Sequence, residues 1–224
     1  MKKLVAPIII LFAAVSMFAQ EMDGSSVVLL NYSSLQKKVE KSNEDIQHER
    51  KSQKDRTWLK RGELFQDDFM YGLEQVQEGM TPTTLKLFYN EPNSIETETI
   101  DGSLHETYIY DHMSYTFVNG ALQEWKRLDT IHPNPLEEAI EAYKMTLKLD
   151  EKGRRTDEVK ENLIDLKNQL KRQGVNLYYK EDYDTALESF ENVLDVNNMD
   201  IFAGEMDTLM VQYSGIISRE IAAK

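Results

Sequence analysis

The chain has 224 residues, of which 41% are hydrophobic and 29% charged, and it carries a formal net charge of −13. This acidic balance repels phosphate backbones and anionic lipid surfaces, which argues against binding to nucleic acid or to a membrane surface. The sequence contains no cysteine, and this excludes disulfides, thiolate metal sites, a cysteine nucleophile and a lipid-modified cysteine.

The first residues, MKKLVAPIIILFAAVSMFAQ, combine two lysines, an apolar run up to Phe18 and the small residue Ala19. This three-part pattern predicts a secretory signal peptide over residues 1–19, cleaved after Ala19. The apolar run is too short to favour a permanent transmembrane helix. Met17 stands where a small residue usually precedes a cleavage site, so an uncleaved anchor is the alternative. We predict an exported, periplasmic protein with no membrane span after cleavage.

The segment that follows, residues 20–56, is rich in charge and poor in apolar residues. Leu35 and Val39 are four residues apart, which suits one face of a helix, so a short helix is predicted near residues 33–43. The charged run at residues 48–56 is predicted to be a solvated linker.

A repeat signature begins at the end of this linker. Trp58, Gly62 and Phe65 follow the spacing W-x3-G-x2-[YF], which resembles the first helix of a tetratricopeptide repeat, a helix-turn-helix unit of about 34 residues. This helix is predicted over residues 57–70, with Thr57 as its N-cap. The positions where the second helix should carry a small residue and a large ring hold glutamates instead. The second helix is therefore expected further along the chain.

Residues 71–132 have the pattern of a small α+β module. Thr81 as N-cap and Pro82 at the first helical position predict a short helix. Alternating runs follow, joined in part by the pairs Asp101-Gly102 and Asn119-Gly120, which supply the positive φ angles of type I′ hairpin turns. We predict an antiparallel meander of four strands. In its last two strands, Met113, Tyr115 and Phe117 share one face, and Ala121, Gln123 and Trp125 lie opposite Leu122 and Glu124.

This module is similar to the SmpA/OmlA family of small outer-membrane assembly lipoproteins. The resemblance starts with the pattern G-M-T-x3-L-x2-F-Y from Gly79 and continues through Pro92, Tyr110, Tyr115, Phe117, Val118, Gly120, Leu122 and Trp125. It implies a short helical part packed on a small antiparallel sheet and a role through protein contacts. The family is lipid-anchored, and this chain has no cysteine to carry a lipid. We therefore transfer the expected fold and not the role in outer-membrane assembly.

The missing half of the first repeat is predicted after the module, at residues 133–155. Ala139 is the small residue at which two repeat helices approach closely, and Tyr143, four residues later on the same face, is the large ring. The first repeat is thus predicted to be split by an insert. Such an insert is tolerated because the entropic cost of loop closure grows slowly with length.

A second repeat is predicted over residues 156–200, with its first helix extended at the N-terminus. It carries the repeat signature most fully, at Gly174, Tyr183, Ala186 and Phe190. Residues 201–224 place Gly215 where the first helix of a third repeat would carry it. The sequence stops before a second helix, so we expect either a truncated sequence or an apolar terminal helix that docks on a partner or another copy of the chain. The predicted fold is mainly α, an array of tetratricopeptide-like hairpins with the inserted α+β module.

The resemblance to the repeat family also predicts a partner-binding surface. The first helices of such repeats line a concave face, and the matching positions of the second repeat are Asn168, Lys171, Val175, Tyr178 and Tyr179. The family's clamp for a partner's C-terminal carboxylate needs an asparagine where Val175 stands. The tyrosines could instead stack on a peptide or a sugar ring. The alternative is that one tyrosine is an ordinary core residue. For Tyr179 this is as expected as binding, and for Tyr178 it is less expected.

No pattern predicts catalysis, a cofactor or a metal site. The four histidines, His48, His105, His112 and His132, lack ligand spacing and are expected to be surface imidazoles. The stretch DVNNMD, residues 195–200, lacks the glycine and glutamate of a calcium loop and is predicted to be a helix-ending turn. We therefore predict a non-catalytic scaffold that binds another envelope protein or peptide. Glycan binding through Tyr110, Trp125, Tyr178 and Tyr179 is the alternative, and a hydrolase is the least favoured.

Overall fold

The computed structural model describes residues 29–203 and 207–222. In this part the chain forms seven α-helices, four β-strands and one short 3-10 helix. The helices are α1 (Tyr32–Gln47), α2 (Asp55–Met70), α3 (Pro82–Tyr89), α4 (Pro135–Leu149), α5 (Thr156–Tyr179), α6 (Tyr183–Asn197) and α7 (Thr208–Ala222). The strands are β1 (Ser94–Ile100), β2 (Ser103–Ile109), β3 (Met113–Val118) and β4 (Ala121–Arg127). The predicted signal peptide lies outside the described residues.

All helices except α3 form one array, in which each helix packs on the next in the order α1, α2, α4, α5, α6, α7. A continuous apolar core runs through this array, and its members include Phe65, Tyr143, Leu163, Phe190 and Ile217. Helices α2 and α4 pair although the whole α+β module lies between them in sequence. The pairing across an insert was predicted, and the α-rich α+β class is confirmed.

Two glycines set the spacing of the paired helices. A Cβ added at Gly62 in α2 would lie 2.5 Å from Cε1 of Tyr143 in α4. A Cβ at Gly174 in α5 would lie 2.6 Å from Cε1 of Phe190 in α6. No real Cβ contact is this short, so each ring occupies the space that only a glycine leaves open. The α2–α4 and α5–α6 pairs thus share one contact geometry.

The module between α2 and α4 is an antiparallel sheet in the order β1-β2-β3-β4 with α3 packed on one face. Leu85 of α3 is buried against a sheet core that includes Tyr108, Tyr115, Phe117 and Leu122. The Asp101-Gly102 turn has φ values of 49° and 80°, and the Asn119-Gly120 turn has 50° and 83°. These left-handed pairs are what type I′ turns require. The four-stranded meander and the short helix, with Thr81 as its N-cap, are confirmed.

The predicted alternation in β4 is wrong. The β3–β4 register shifts after Thr116, because Glu124 and Leu122 pair with consecutive residues of β3 and leave Gln123 as an extra residue. This β-bulge adds one residue to β4, so the side chains on its two sides no longer follow a single alternation. Leu122 and Trp125 consequently face the sheet core together, although the simple period of two puts them on opposite faces.

The predicted linker and start of α2 also need correction. Helix α2 begins at Asp55, so Thr57 lies inside the first turn and is not the N-cap. Residues 48–54 are largely exposed, as predicted for the linker, but they form a hydrogen-bonded turn. The indole N–H of Trp58 donates to the carbonyl of Ser52 at 2.8 Å, which ties this turn to the helix. Charge alone could not reveal that contact.

Candidate protein-binding surface

The five residues predicted to bind a partner all lie on the C-terminal half of α5. We call this set the α5 surface: Asn168, Lys171, Val175, Tyr178 and Tyr179. The opposite side of α5 is buried in the helical core through Leu163, Leu166, Leu170 and Gly174. Because one side of the helix is held by this packing, the surface is presented by a rigid element.

The two tyrosines have different surroundings, although both were predicted to bind a partner. Tyr179 is 67% exposed, whereas Tyr178 is half-buried and packs against the helical core. The ring of Tyr178 lies 5.8 Å from the ring of Tyr179 and 5.6 Å from that of Tyr183, at the start of α6. Tyr178 faces α6 across the short turn that joins the two helices, so it supports Tyr179 from the side. The alternative that Tyr179 is a core residue is therefore wrong.

Lys171 is engaged inside the chain. Its Nζ lies 2.5 Å from Oδ2 of Asp207, and Oδ1 of Asp207 accepts from the backbone N–H of Met210 in the first turn of α7 at 3.2 Å. Burial acts to raise the pKa of the Asp207 carboxyl, but the hydrogen bonds from Lys171 and Met210 outweigh it, so this pKa lies below its ordinary value. Lys171 therefore holds the start of α7, and its ammonium group is already paired with Asp207.

The remaining residues of the α5 surface are one polar and one apolar side chain, and two exposed aliphatic residues lie outside the set. Asn168 is exposed and Val175 is half-buried against the core. Ile164, one turn before Asn168, is 41% exposed, and Leu209 on α7 is 45% exposed. Sequence reasoning missed both aliphatic residues. The repeat offset contained a signal for Leu209, which precedes Gly215 by the same interval as Asn168 precedes Gly174.

Two of the five equivalent positions on α2 are acidic. Relative to the contact glycine, Glu63 stands where Val175 does and Asp67 stands where Tyr179 does, and both side chains are exposed. Burial of the carboxyl, followed by the charge of Glu158, raises the pKa of Glu63. Partial burial also raises the pKa of Asp67. The array thus presents carboxylates on α2 and an aromatic surface on α5.

A small cavity lies between the α2–α4 and α5–α6 pairs. Its volume is about 160 Å³, and Glu137 of α4, Glu188 of α6 and the apolar side chains of Phe69, Leu136 and Leu170 are among its walls. A hydrogen bond with Glu137, followed by burial and by the charge of Glu137, raises the pKa of Glu188. A neighbouring cavity of about 220 Å³ runs along Glu137, Glu138 and Glu141. Both volumes fall below the roughly 300 Å³ at which small-molecule sites usually begin.

Of the four histidines expected at the surface, only His48 is exposed, and His132 lies edge-on to the buried ring of Phe65 with centroids 4.9 Å apart. His112 is half-buried and stacks on Tyr32 of α1, with ring centroids 3.6 Å apart. Its Nδ1 lies 3.6 Å from a carboxylate oxygen of Asp129. Burial and a hydrogen bond to Asp129 raise the pKa of Tyr32 to about 12. This contact packs α1 on the β2–β3 turn.

Two kinds of site were sought among the described residues: a metal-binding cluster and a membrane-spanning helix. Among them, no group of three or more histidine, aspartate or glutamate side chains is placed to hold a metal ion. No helix in the same part of the chain has the length and apolar character needed to cross a membrane. The stretch DVNNMD contains the end of α6 at Asn197 and the start of a 3-10 helix, Asp200–Phe202, so the predicted helix-ending turn is confirmed.

Comparisons of this chain with protein-family models, with curated proteins and with solved structures found no match. The resemblances to tetratricopeptide repeats and to the SmpA/OmlA family therefore stay predictions. Function has to be inferred from the chain's own geometry. That geometry offers an exposed ring at the end of a rigid helix, an exposed isoleucine earlier on that helix, and two carboxylates at equivalent positions of α2.

Proposed function

We propose that this chain is a non-catalytic scaffold or adaptor of the cell envelope, exported to the periplasm, that binds another envelope protein or peptide. In this proposal α2–α4 and α5–α6 are two tetratricopeptide-like hairpins, and the first is split by a module similar to SmpA/OmlA. The matching contacts of Gly62 with Tyr143 and of Gly174 with Phe190 support it. In each pair, the ring that matches the repeat signature packs on the signature glycine of the first helix.

The observation that carries the proposal is the exposure of Tyr179. A tyrosine that leaves 67% of its surface in water offers apolar area with a polar tip, and such rings are enriched in protein interfaces. Tyr178 holds it from the side at 5.8 Å. A ring fixed in this way loses little conformational entropy when a partner covers it.

The surroundings favour a peptide over a small molecule. The cavities near Glu137 are about 160 and 220 Å³, too small to bury a typical ligand of roughly drug size. The exposed face instead extends from the aromatic α5 surface to the carboxylates of Glu63 and Asp67. We expect a partner segment with an apolar residue for Tyr179 and basic residues for these acids.

A site-specific crosslink tests the proposal. The photoreactive amino acid p-benzoylphenylalanine replaces Tyr179 in the predicted mature chain, residues 20–224, and the protein is irradiated in envelope extract. Leu87 on α3, which is 77% exposed, supplies the matched control position. We expect a discrete protein adduct from position 179 and none of the same mass from position 87. The same adduct from both positions, or none from either, would contradict the proposal.

Capture by unmodified variants completes this experiment. Tyr179→Ala and Asn168→Ala should weaken capture of the crosslinked partner, and Leu87→Ala should leave it unchanged. Lys171→Ala is unsuitable, because loss of the Lys171–Asp207 pair releases the start of α7 and would mix binding with folding. Retention of the partner by Tyr179→Ala would remove the α5 surface from consideration.

Glycan binding stays the alternative because an exposed tyrosine can also stack on a sugar ring. Two of the other rings first considered for a sugar platform are engaged in the module. The hydroxyl of Tyr110 donates to the carbonyl of Asn90 at 3.1 Å, and Trp125 packs on the sheet core. A sugar would therefore meet Tyr179 and the half-buried Tyr178 beside it. Binding on a glycan array that Tyr179→Ala abolishes, with no protein adduct from position 179, would favour this function.

A further inference from the structure

Strand β1 forms an open edge of the sheet. It pairs with β2 on one side, and no other described strand lies on its second side. All seven of its residues, Ser94–Ile100, are exposed. An edge of this kind carries backbone N–H and C=O groups that another extended chain could pair with.

The adjoining turn determines which backbone groups face outward. The two-residue type I′ turn at Asp101-Gly102 makes Ile100 and Ser103 a hydrogen-bonded pair. Pairs then alternate along an antiparallel ladder, so Glu98 and Glu96 direct their backbone groups toward β2. The N–H and C=O groups of Ile95, Thr97 and Thr99 consequently point away from the sheet.

Strand β1 is protected by charge alone. Natural edges are blocked by charged side chains, proline or a bulge, but β1 has the sequence SIETETI, without proline, and its register with β2 is regular. Its charged side chains are Glu96 and Glu98, which share the face turned away from α3. Neither carboxylate makes an ion pair within the described residues. Residues 87–125 contain seven acidic residues and no lysine or arginine, so no nearby sequence neutralises this edge.

The two glutamates also select the kind of chain that can pair with β1. If two copies of β1 paired antiparallel about Thr97, Glu96 of one copy would lie opposite Glu98 of the other. Like charges in directly opposite positions destabilise a sheet. A strand with lysine or arginine in those positions would gain two favourable cross-strand pairs.

We propose that β1 accepts, by strand addition, an extended segment of a partner protein that carries two basic residues separated by one residue. The backbone of the segment pairs with Ile95, Thr97 and Thr99, and its two basic side chains lie opposite Glu96 and Glu98. The side chain between them lies on the α3 face, near Ile95, which is 45% exposed. This site is separate from the α5 surface, so its presence does not depend on binding there.

A designed peptide tests the site. The probe is TVKVKVT, with blocked ends, and the controls are TVEVEVT and a TVKVKVT peptide N-methylated on alternate amides. Backbone hydrogen exchange is followed by NMR on the full mature chain. We expect TVKVKVT to slow exchange at Ile95, Thr97 and Thr99 and to have little effect on the α5 surface. Equal protection by TVEVEVT or by the N-methylated peptide, or no protection at these three amides, would overturn the proposal.

Charge variants separate pairing at the edge from general attraction to an acidic protein. The double variant Glu96→Gln/Glu98→Gln should weaken binding of TVKVKVT by roughly 2- to 30-fold, the effect expected from two cross-strand charge pairs. The matched control, Glu44→Gln/Glu49→Gln, removes two exposed charges from α1 and its following turn and should leave the dissociation constant nearly unchanged. Equal weakening in both double variants would show that only net charge matters and would overturn the proposal.

Discussion

Glu137 and Glu188 face each other across the cavity between the helical pairs, and their contact depends on pH. The hydrogen bond and burial raise the pKa of Glu188 above the ordinary value of 4.5. The folded protein therefore holds this proton more tightly than the unfolded chain does. The resulting stabilisation is complete below about pH 4.5 and is lost as the pH rises through the raised pKa. At neutral pH the two carboxylates repel each other.

Glu188→Gln should remove this repulsion, because a neutral amide can donate to Glu137. Since Glu188 is exposed and solvent screens the pair, we expect the free energy of unfolding at pH 7 to rise by only about 0.2–0.5 kcal/mol. The gain should disappear near pH 4. Urea denaturation at both pH values measures it, with Glu161→Gln, an exposed change on α5, as the control. Identical behaviour of the two variants would mean that the Glu137–Glu188 contact has no energetic role.

At the scale of helices, the glycines of α5 and α7 lie in different surroundings. Phe190 fills the space beside Gly174, with Cε1 2.6 Å from an added Cβ, whereas an added Cβ at Gly215 meets nothing within 4 Å. An alanine is a better helix former than glycine by about 1 kcal/mol. In α5 that gain is opposed by overpacking, which typically costs about 1–3 kcal/mol.

Gly174→Ala is therefore expected to lower the free energy of unfolding by up to about 2 kcal/mol, the overpacking cost less the gain in helix propensity. Gly215→Ala is expected to raise it by about 0.5–1 kcal/mol. Both are measured from urea unfolding followed by circular dichroism at 222 nm. The two variants share the same chemical change, so each controls the other. A stabilising Gly174→Ala would refute the close α5–α6 contact.

Over the whole molecule, Arg127 connects the sheet to the helical array. Its guanidinium donates to the carbonyl of Phe69 at the end of α2 and lies 5.3 Å from the Phe69 ring. Burial raises the pKa of the neighbouring Asp68, and the charge of Arg127 acts in the opposite direction. The hydroxyl of Tyr115 adds a second connection by donating to the carbonyl of Gly72 at 2.6 Å. These bonds couple the module to α2.

Arg127→Met should lower the free energy of unfolding by about 1–3 kcal/mol, because it leaves a buried carbonyl and the Asp68 carboxyl without their donor or counter-charge. It should also uncouple the two parts of the chain. The two tryptophans report on them separately, Trp58 in α2 and Trp125 in β4, once Trp125→Phe or Trp58→Phe removes the other. We expect coincident unfolding midpoints in the parent and separated ones in Arg127→Met.

Lys126→Met controls for loss of a cation from the same strand, since Lys126 is exposed. It should leave the two midpoints coincident. Adding Asp68→Asn to Arg127→Met should recover part of the lost stability, because the uncompensated carboxyl is then neutral. Coincident midpoints in Arg127→Met would show that the sheet and the helices are coupled through other contacts.

Local chemistry explains which parts of the fold could be predicted from sequence. Helices α2, α4, α5 and α6 follow from apolar periodicity, and the type I′ turns follow from Asp-Gly and Asn-Gly pairs. Even the α2–α4 pairing could be predicted, because the small residue and the large ring that are missing after α2 appear beyond the insert as Ala139 and Tyr143. The features missed were those that no local sequence pattern encodes. The bulge at Gln123 and the turn at residues 48–54 depend on partners that the sequence does not name.

The candidate site divides in the same way. By itself, the sequence determined a long helix that ends near Tyr178 and Tyr179, and the resemblance to the repeat family made both of them candidates for partner binding. Only the tertiary structure decided that Tyr178 packs beside Tyr183, that Lys171 is occupied by Asp207, and that β1 is left as an open edge. Exposure and pairing depend on contacts between separate elements of the fold, and periodicity along the chain does not contain that information.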